Sequence, residues 1–202
     1  MEHPLVIVLL IAGAGWLFNF WLRDLRLARR GAPNPRALPG AVPAGGRAVA
    51  IAVAGALLIL GGETLAELGL GTSGEQSTLT ALLAVYTLFA AFLEEVVFRG
   101  YIVVTGRGAA VTWGAAAAAS LVFALAHPFL WKWDGGGFRV TVSAQPLVST
   151  VSVFATSLWL YAMRFWKGNP GRSLVPCVAA HLARNAAVIA IKGVQGHLGG
   201  WW

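Results

Sequence analysis

The sequence predicts an all-α, polytopic transmembrane bundle of about six membrane-spanning helices, and three observations carry that prediction. Of 202 residues, 57% are hydrophobic and only 11% are charged, well outside the composition of ordinary soluble domains. The apolar residues fall into runs near the ~20 residues that a helix needs to cross a bilayer core. The basic residues gather in the short stretches between those runs, as they do in membrane proteins whose loops set orientation. The net charge of +7 is not interleaved along one face as a nucleic-acid surface requires, so no nucleic-acid partner is expected. The single cysteine, Cys177, excludes an internal disulfide and a cysteine-based metal cluster.

The first run, 4–22, has no basic start, and RDLRLARR follows it where a signal peptide would carry a cleavage site. It reads as a retained anchor with its N-terminus outside. GAPNPRALPGAVPAGGR is rich in Pro, Gly and Ala and reads as a flexible cytoplasmic linker. Residues 1–47 thus form an anchor and basic linker ahead of a core at 48–202. The second run, 48–62, is short and precedes an acidic outer loop, GGETLAELGLGTSGEQ. The third and fourth, 79–104 and 110–130, are separated by the glycines of TGRG. AAAAAS at 115–120 gives the fourth a small-residue surface suited to close approach by the third. The loop WKWDGGGFRV leads to the fifth run, 146–163, and the sixth is 173–192.

Trp16, Trp21, Trp131, Trp133, Trp159, Trp166, Trp201 and Trp202 mostly fall near the proposed helix ends, as an interfacial aromatic belt would. With the linker inside, the inner side collects Arg23, Arg26, Arg29, Arg30, Arg36, Arg47, Arg107, Arg164, Lys167 and Arg172, with Arg99 near it. The opposite loops hold Lys132, Arg139 and Lys192. Both termini are therefore expected outside, and the basic loops in the cytoplasm of a bacterial plasma membrane.

The stretch FLEEVVFRG, 92–100, sets Glu94, Glu95 and Arg99 inside the third run. A charge at the bilayer centre costs about 2.5–3.5 kcal/mol on insertion scales, so such groups pair internally or carry function. Glu95 and Arg99 are one helical turn apart in the acid-before-base order, which suits a structural ion pair. Glu94 points elsewhere and needs a partner from another helix. His127 and His181 are the histidines within apolar runs, and Asn185 lies one turn beyond His181 on the same face. At about 1.5 Å per residue, Glu94, His127, His181 and Asn185 fall in one band near mid-membrane. A glutamate and a histidine around one water can remove its proton as it attacks a carbonyl. A second histidine with an asparagine offers donors for the developing oxyanion. The reaction class is amide hydrolysis within the membrane.

Three motifs, EEVVFR (Glu94 to Arg99), FALAH (Phe123 to His127) and HLARN (His181 to Asn185), resemble the EExxxR, FxxxH and HxxxN/D motifs of the CAAX protease and bacteriocin-processing family, also called Abi or CPBP. That family includes the type II CAAX prenyl endopeptidases of glutamic type. The resemblance covers about residues 77–192. It implies that Glu94 and His127 activate water, that His181 and Asn185 hold the oxyanion, and that Glu95 and Arg99 support them. Members often carry eight helices, so the substrate path is less well implied than the chemistry. The expected partners are membrane lipid and a protein or peptide substrate with a membrane-embedded or lipidated segment. No prenyl pocket is identified by the sequence.

No cofactor is expected, although two glutamates and two histidines also allow a zinc-dependent protease using the same residues; no HExxH motif is present. GTSG, 71–74, is similar to the GxSG of rhomboid serine proteases, but the order of Ser73 and HLARN does not match that pattern. Cys177, one turn before His181, permits a thiol–imidazole dyad in principle, but small-residue helix packing is the favoured reading. Intramembrane Glu, His and Arg also serve transporters, scaffolds and immunity proteins. No inverted repeat of the kind found in many transporters is evident.

Overall fold

The protein is described by a computed structural model over residues 3–202. Six long helices dominate it: α1 (Pro4–Arg29), α2 (Gly46–Gly69), α3 (Ala81–Glu95), α4 (Ala109–Ala126), α5 (Ala144–Phe165) and α6 (Val175–Val194). A six-residue π-helical turn, Val96–Tyr101, continues α3, and a short antiparallel hairpin, β1 (Trp131–Asp134) and β2 (Gly137–Val140), joins α4 to α5. With the π-helical turn counted into α3, all six helices are long and apolar enough to cross a membrane. Large side chains such as Leu9, Trp16, Leu58, Leu65, Val122 and Val151 stand exposed on them; a bilayer covers that kind of surface. This is a multi-pass helical bundle.

Helix α2 lies against both α5 and α6, α3 against α1 and α6, and α4 against α5. Small residues make these approaches possible: Ala52, Ala56, Ala91, Ala124 and Ala180 are wholly buried. The indole of Trp159 lies on Gly55, and its Nε1 donates to the Ala52 carbonyl at 2.9 Å. Without a hydrophobic drive between helices in lipid, packing of this closeness is what holds them together.

Several boundaries differ from expectation, each for a tertiary reason. Helix α2 runs seven residues past the expected end at 62, which puts Glu63 and Glu67 on a helix rather than in an acidic loop. Glu63 is neutralised by Arg184 of α6 at 2.6 Å, and Glu67 accepts a hydrogen bond from Gln76 at 2.6 Å. Helix α4 stops at Ala126 instead of reaching 130. His127 is followed by Pro128, and a residue before proline is pushed out of the helical region; His127 has φ −77° and ψ 129°.

The stretch expected to be a flexible linker is instead tied down. Asp24 accepts from Asn34 and from the Leu38 amide, Leu174 donates its amide to the Gly40 carbonyl, and Ser173 donates to Val42. Trp21, expected at the interface, is buried and donates to the Pro39 carbonyl. The small-residue face of α4 meets α5 rather than the Glu-bearing helix: Ala116 and Ala119 pack on Tyr161. At the other end of the chain, the carbonyls of Gly200 and Trp201 accept from the amides of Ala81 and Leu82. They satisfy first-turn donors of α3 that have no partner inside the helix.

Candidate active site

The charged stretch straddles the junction of α3 and its π-helical turn, with Glu94 and Glu95 at the end of α3 and Arg99 in the turn. The turn's widened geometry leaves backbone carbonyls available to other elements, and turns of this kind recur at functional sites. Residues of α5 spaced for one helix face supply the donors. Tyr161 Oη lies 2.7 Å from the Phe98 carbonyl and 3.0 Å from that of Ile102, and Arg164 Nε donates to the Arg99 carbonyl at 2.9 Å.

Glu95 and Arg99 are both 0% exposed, and Arg99 Nη1 donates to Glu95 Oε1 at 3.1 Å. Arg99 Nη2 donates to the Ser157 hydroxyl at 2.6 Å and to the Ser157 carbonyl at 3.0 Å, and the Ser157 hydroxyl passes its own hydrogen to Ser120. The guanidinium lies 4.9 Å from the ring centre of Phe123 and 5.0 Å from that of Tyr161, a favourable setting for a desolvated cation. The expected ion pair is present, and it reaches beyond its own helix to bind α3, α4 and α5 together.

Glu94 diverges from this pair. Its side chain is 32% exposed, and its Oε2 lies 3.6 Å from His181 Nε2, so its partner does come from another helix. His181 stands between the two glutamates, with Nδ1 2.8 Å from Glu95 Oε1. That oxygen already accepts from Arg99, a group that can only donate, so the hydrogen in this contact is on Nδ1. The ring is oriented by Glu95 and presents Nε2 towards Glu94.

His127 is fixed by a different device. Its Nδ1 lies 2.8 Å from the Phe123 carbonyl. A carbonyl only accepts, so Nδ1 carries the hydrogen and the neutral ring keeps a lone pair on Nε2. The Phe123 ring meets both imidazoles edge-on, with centroids 4.8 Å from His127 and 6.2 Å from His181. Asn185 donates one amide hydrogen to the Thr87 carbonyl of α3 at 3.1 Å; a second remains.

Glu94, His127, His181 and Asn185 all line one cavity of about 300 Å³, within the size range of ligand sites. Thr156 and Arg184 also line it, and neither was anticipated. Arg184 had a readable signal: a charge inside an apolar helix, three residues after His181, demands an acidic partner. That partner, Glu63, lies in the stretch expected to be a loop. Ser157 and Ser120 gave no signal, because a lone serine in an apolar helix is ordinary.

The other candidate groups lie elsewhere. Cys177 is buried, donates to the Leu160 carbonyl at 3.3 Å, and does not line the cavity. Ser73 lies in a short 3₁₀ turn, also outside the cavity lining. Among the described residues, no three His, Cys, Asp or Glu side chains are grouped to hold a metal ion, and no step below is routed through one.

A multi-pass helical bundle that gathers carboxylate, imidazole and amide side chains around one cavity defines a polar site among helices able to span a membrane. The sequence profile described as Type II CAAX prenyl endopeptidase Rce1-like matches residues 76–187, more than half of the chain, and the protein belongs to that family. The match runs from ahead of α3 into α6 and includes every motif residue named above; the family implies a membrane-embedded peptidase. Comparison with proteins of curated function and with solved structures gave no match.

Proposed function

We propose that the protein is a glutamic-type intramembrane endopeptidase in which Glu94 and His127 activate a water molecule. The observation that supports this best is the shared cavity, into which Glu94 brings a carboxylate and His127 a ring whose Nδ1 is already committed. A water between Glu94 and His127 Nε2 has two acceptors for its hydrogens. As its oxygen bonds to the scissile carbonyl carbon, one proton passes to the Glu94 carboxylate and the carbonyl oxygen becomes an oxyanion. Collapse of that intermediate breaks the C–N bond, and the proton held by Glu94 goes to the leaving amine nitrogen.

The oxyanion needs donors. With Nδ1–H given to Glu95, His181 donates only through Nε2–H, as the imidazolium. Asn185 contributes its second amide hydrogen. Glu95 and Arg99 act through His181, holding its ring in register, and do not touch the reacting atoms. The substrate is a protein or peptide whose scissile bond enters the bilayer, such as an anchor, a leader or a lipidated tail. By the distribution of Lys and Arg, the basic loops face the cytoplasm of a bacterial plasma membrane.

The test compares membrane-protein termini in cells carrying the wild-type protein and the Glu94→Gln variant. New termini that vanish in the variant, at equal protein level and helix content, are expected. Identical sets of termini would overturn the protease reading and favour a binding or scaffold role.

A further inference from the structure

A second cavity, about 360 Å³, lies beside the first near the C-terminal ends of α2 and α6 and the start of α5. The two share a wall that includes Phe129, Val153, Arg184, Val188 and Lys192. We propose that this second cavity is a subsite for an uncharged, polar peptide segment flanking the scissile bond. The proposal rests on the protease reading above.

Continuity is the first argument. The five shared residues set the two cavities side by side, within reach of one extended peptide. The chemistry of the lining is the second argument. Its less exposed charged groups are already engaged: Glu63 with Arg184 and Ser152, Glu67 with Gln76, and Lys192 with the Ser77 carbonyl; the other two, Glu75 and Lys132, are exposed and opposite in sign. A charged occupant would have to break such pairs, and an apolar one would cover hydroxyl and amide groups without matching them. Thr64, Ser143 and Gln145, also in the lining, offer hydrogen bonds to a neutral polar chain.

Arg184 is the third argument. Its Nη2 donates to Glu63 at 2.6 Å and to Ser152 at 3.1 Å, while its buried Nε has no partner among the described residues. A buried donor without an acceptor is costly, and the carbonyl oxygen of a peptide crossing between the cavities is an acceptor of the right kind. A phospholipid phosphate fits less well, because the Glu63 carboxylate 2.6 Å from the same guanidinium would repel it.

The experiment uses the full-length protein in nanodiscs of phosphatidylethanolamine and phosphatidylglycerol. The probe is a library of single-pass transmembrane peptides with randomised flanks. With p-benzoylphenylalanine in place of Gln145 in the Glu94→Gln background, photolysis is expected to yield adducts with library peptides through their flanks; adducts with phospholipid alone would overturn the subsite. In the wild-type protein, kcat/KM is expected to be about tenfold higher for peptides with Ser, Asn or Gln flanks than for those with Leu or Lys flanks. Thr64→Phe, which fills the second cavity, should reduce that ratio to about twofold; if it does not fold, Ser143→Leu replaces it. A ratio equal in wild type and variant overturns the proposal. A library with no cleaved member defeats the protease reading, and the crosslinks then judge the subsite by themselves.

Discussion

Arg99→Leu tests whether the buried ion pair is what allows α3 to carry its charges. Three hydrogen bonds disappear with the guanidinium, one to Glu95 and two to Ser157, all in a region with no solvent exposure. Glu95 would then face His181 alone, with its Oε2 already without a partner among the described residues. Removing one member of a buried pair costs about 3–5 kcal/mol. The Ser157 carbonyl keeps its helical bond from the Tyr161 amide, so the donor lost to the Ser157 hydroxyl adds only about 1 kcal/mol, part of which relaxation recovers. A loss of about 4 kcal/mol is therefore expected, or roughly 8–16 °C in Tm for a chain of this size. Arg99→Lys should lose about half as much, because one ammonium cannot span both Glu95 and Ser157. Thermal unfolding in nanodiscs, followed by tryptophan fluorescence, measures both variants. A loss below about 1 kcal/mol for Arg99→Leu would refute the reasoning, since it would mean that the pair is hydrated and replaceable.

The two adjacent glutamates should separate cleanly. Glu94→Gln is expected to abolish proteolysis while shifting stability by less than about 1 kcal/mol, whereas Glu95→Gln should lower both; termini profiling with thermal unfolding distinguishes them. Either Glu63→Leu or Arg184→Leu alone should cost about 3–5 kcal/mol, and the double variant far less than the sum. A strictly additive double variant would show that the two side chains do not interact. Gly55→Val should cost about 1–3 kcal/mol, because any Cβ at 55 overlaps the Trp159 indole and forces α2 from α5; unchanged unfolding would contradict that contact. His127→Ala should leave no cleaved product at an unchanged Tm within about 2 °C, which the same two measurements read.

The legibility of this chain varied with the kind of interaction. Six spans were readable because lipid imposes a length and a composition on every crossing helix. The Glu95–Arg99 pair was readable because helical spacing brings i and i+4 together wherever the helix goes. Helix ends were harder. The early stop of α4 was present in the order His127–Pro128, but the apolar PFL that follows hid it in a hydropathy reading. The longer α2 was not readable, since Glu63 and Glu67 look like loop residues until Arg184 and Gln76 are seen against them.

What the residues determined alone was the class of fold and the cast of polar groups: a charge in lipid is costly wherever the helix packs, so Glu94, Glu95, Arg99, His127 and His181 stand out without coordinates. What packing decided was the division of labour among them. Glu95 became a buried brace because His181 and Arg99, itself held by Ser157, converge on it, and Glu94 borders the cavity because it projects to the other side of the helix. The contacts of Ser157 and His181 join residues far apart in the chain. Distances of that kind depend on how helices cross, and no spacing along one helix encodes them.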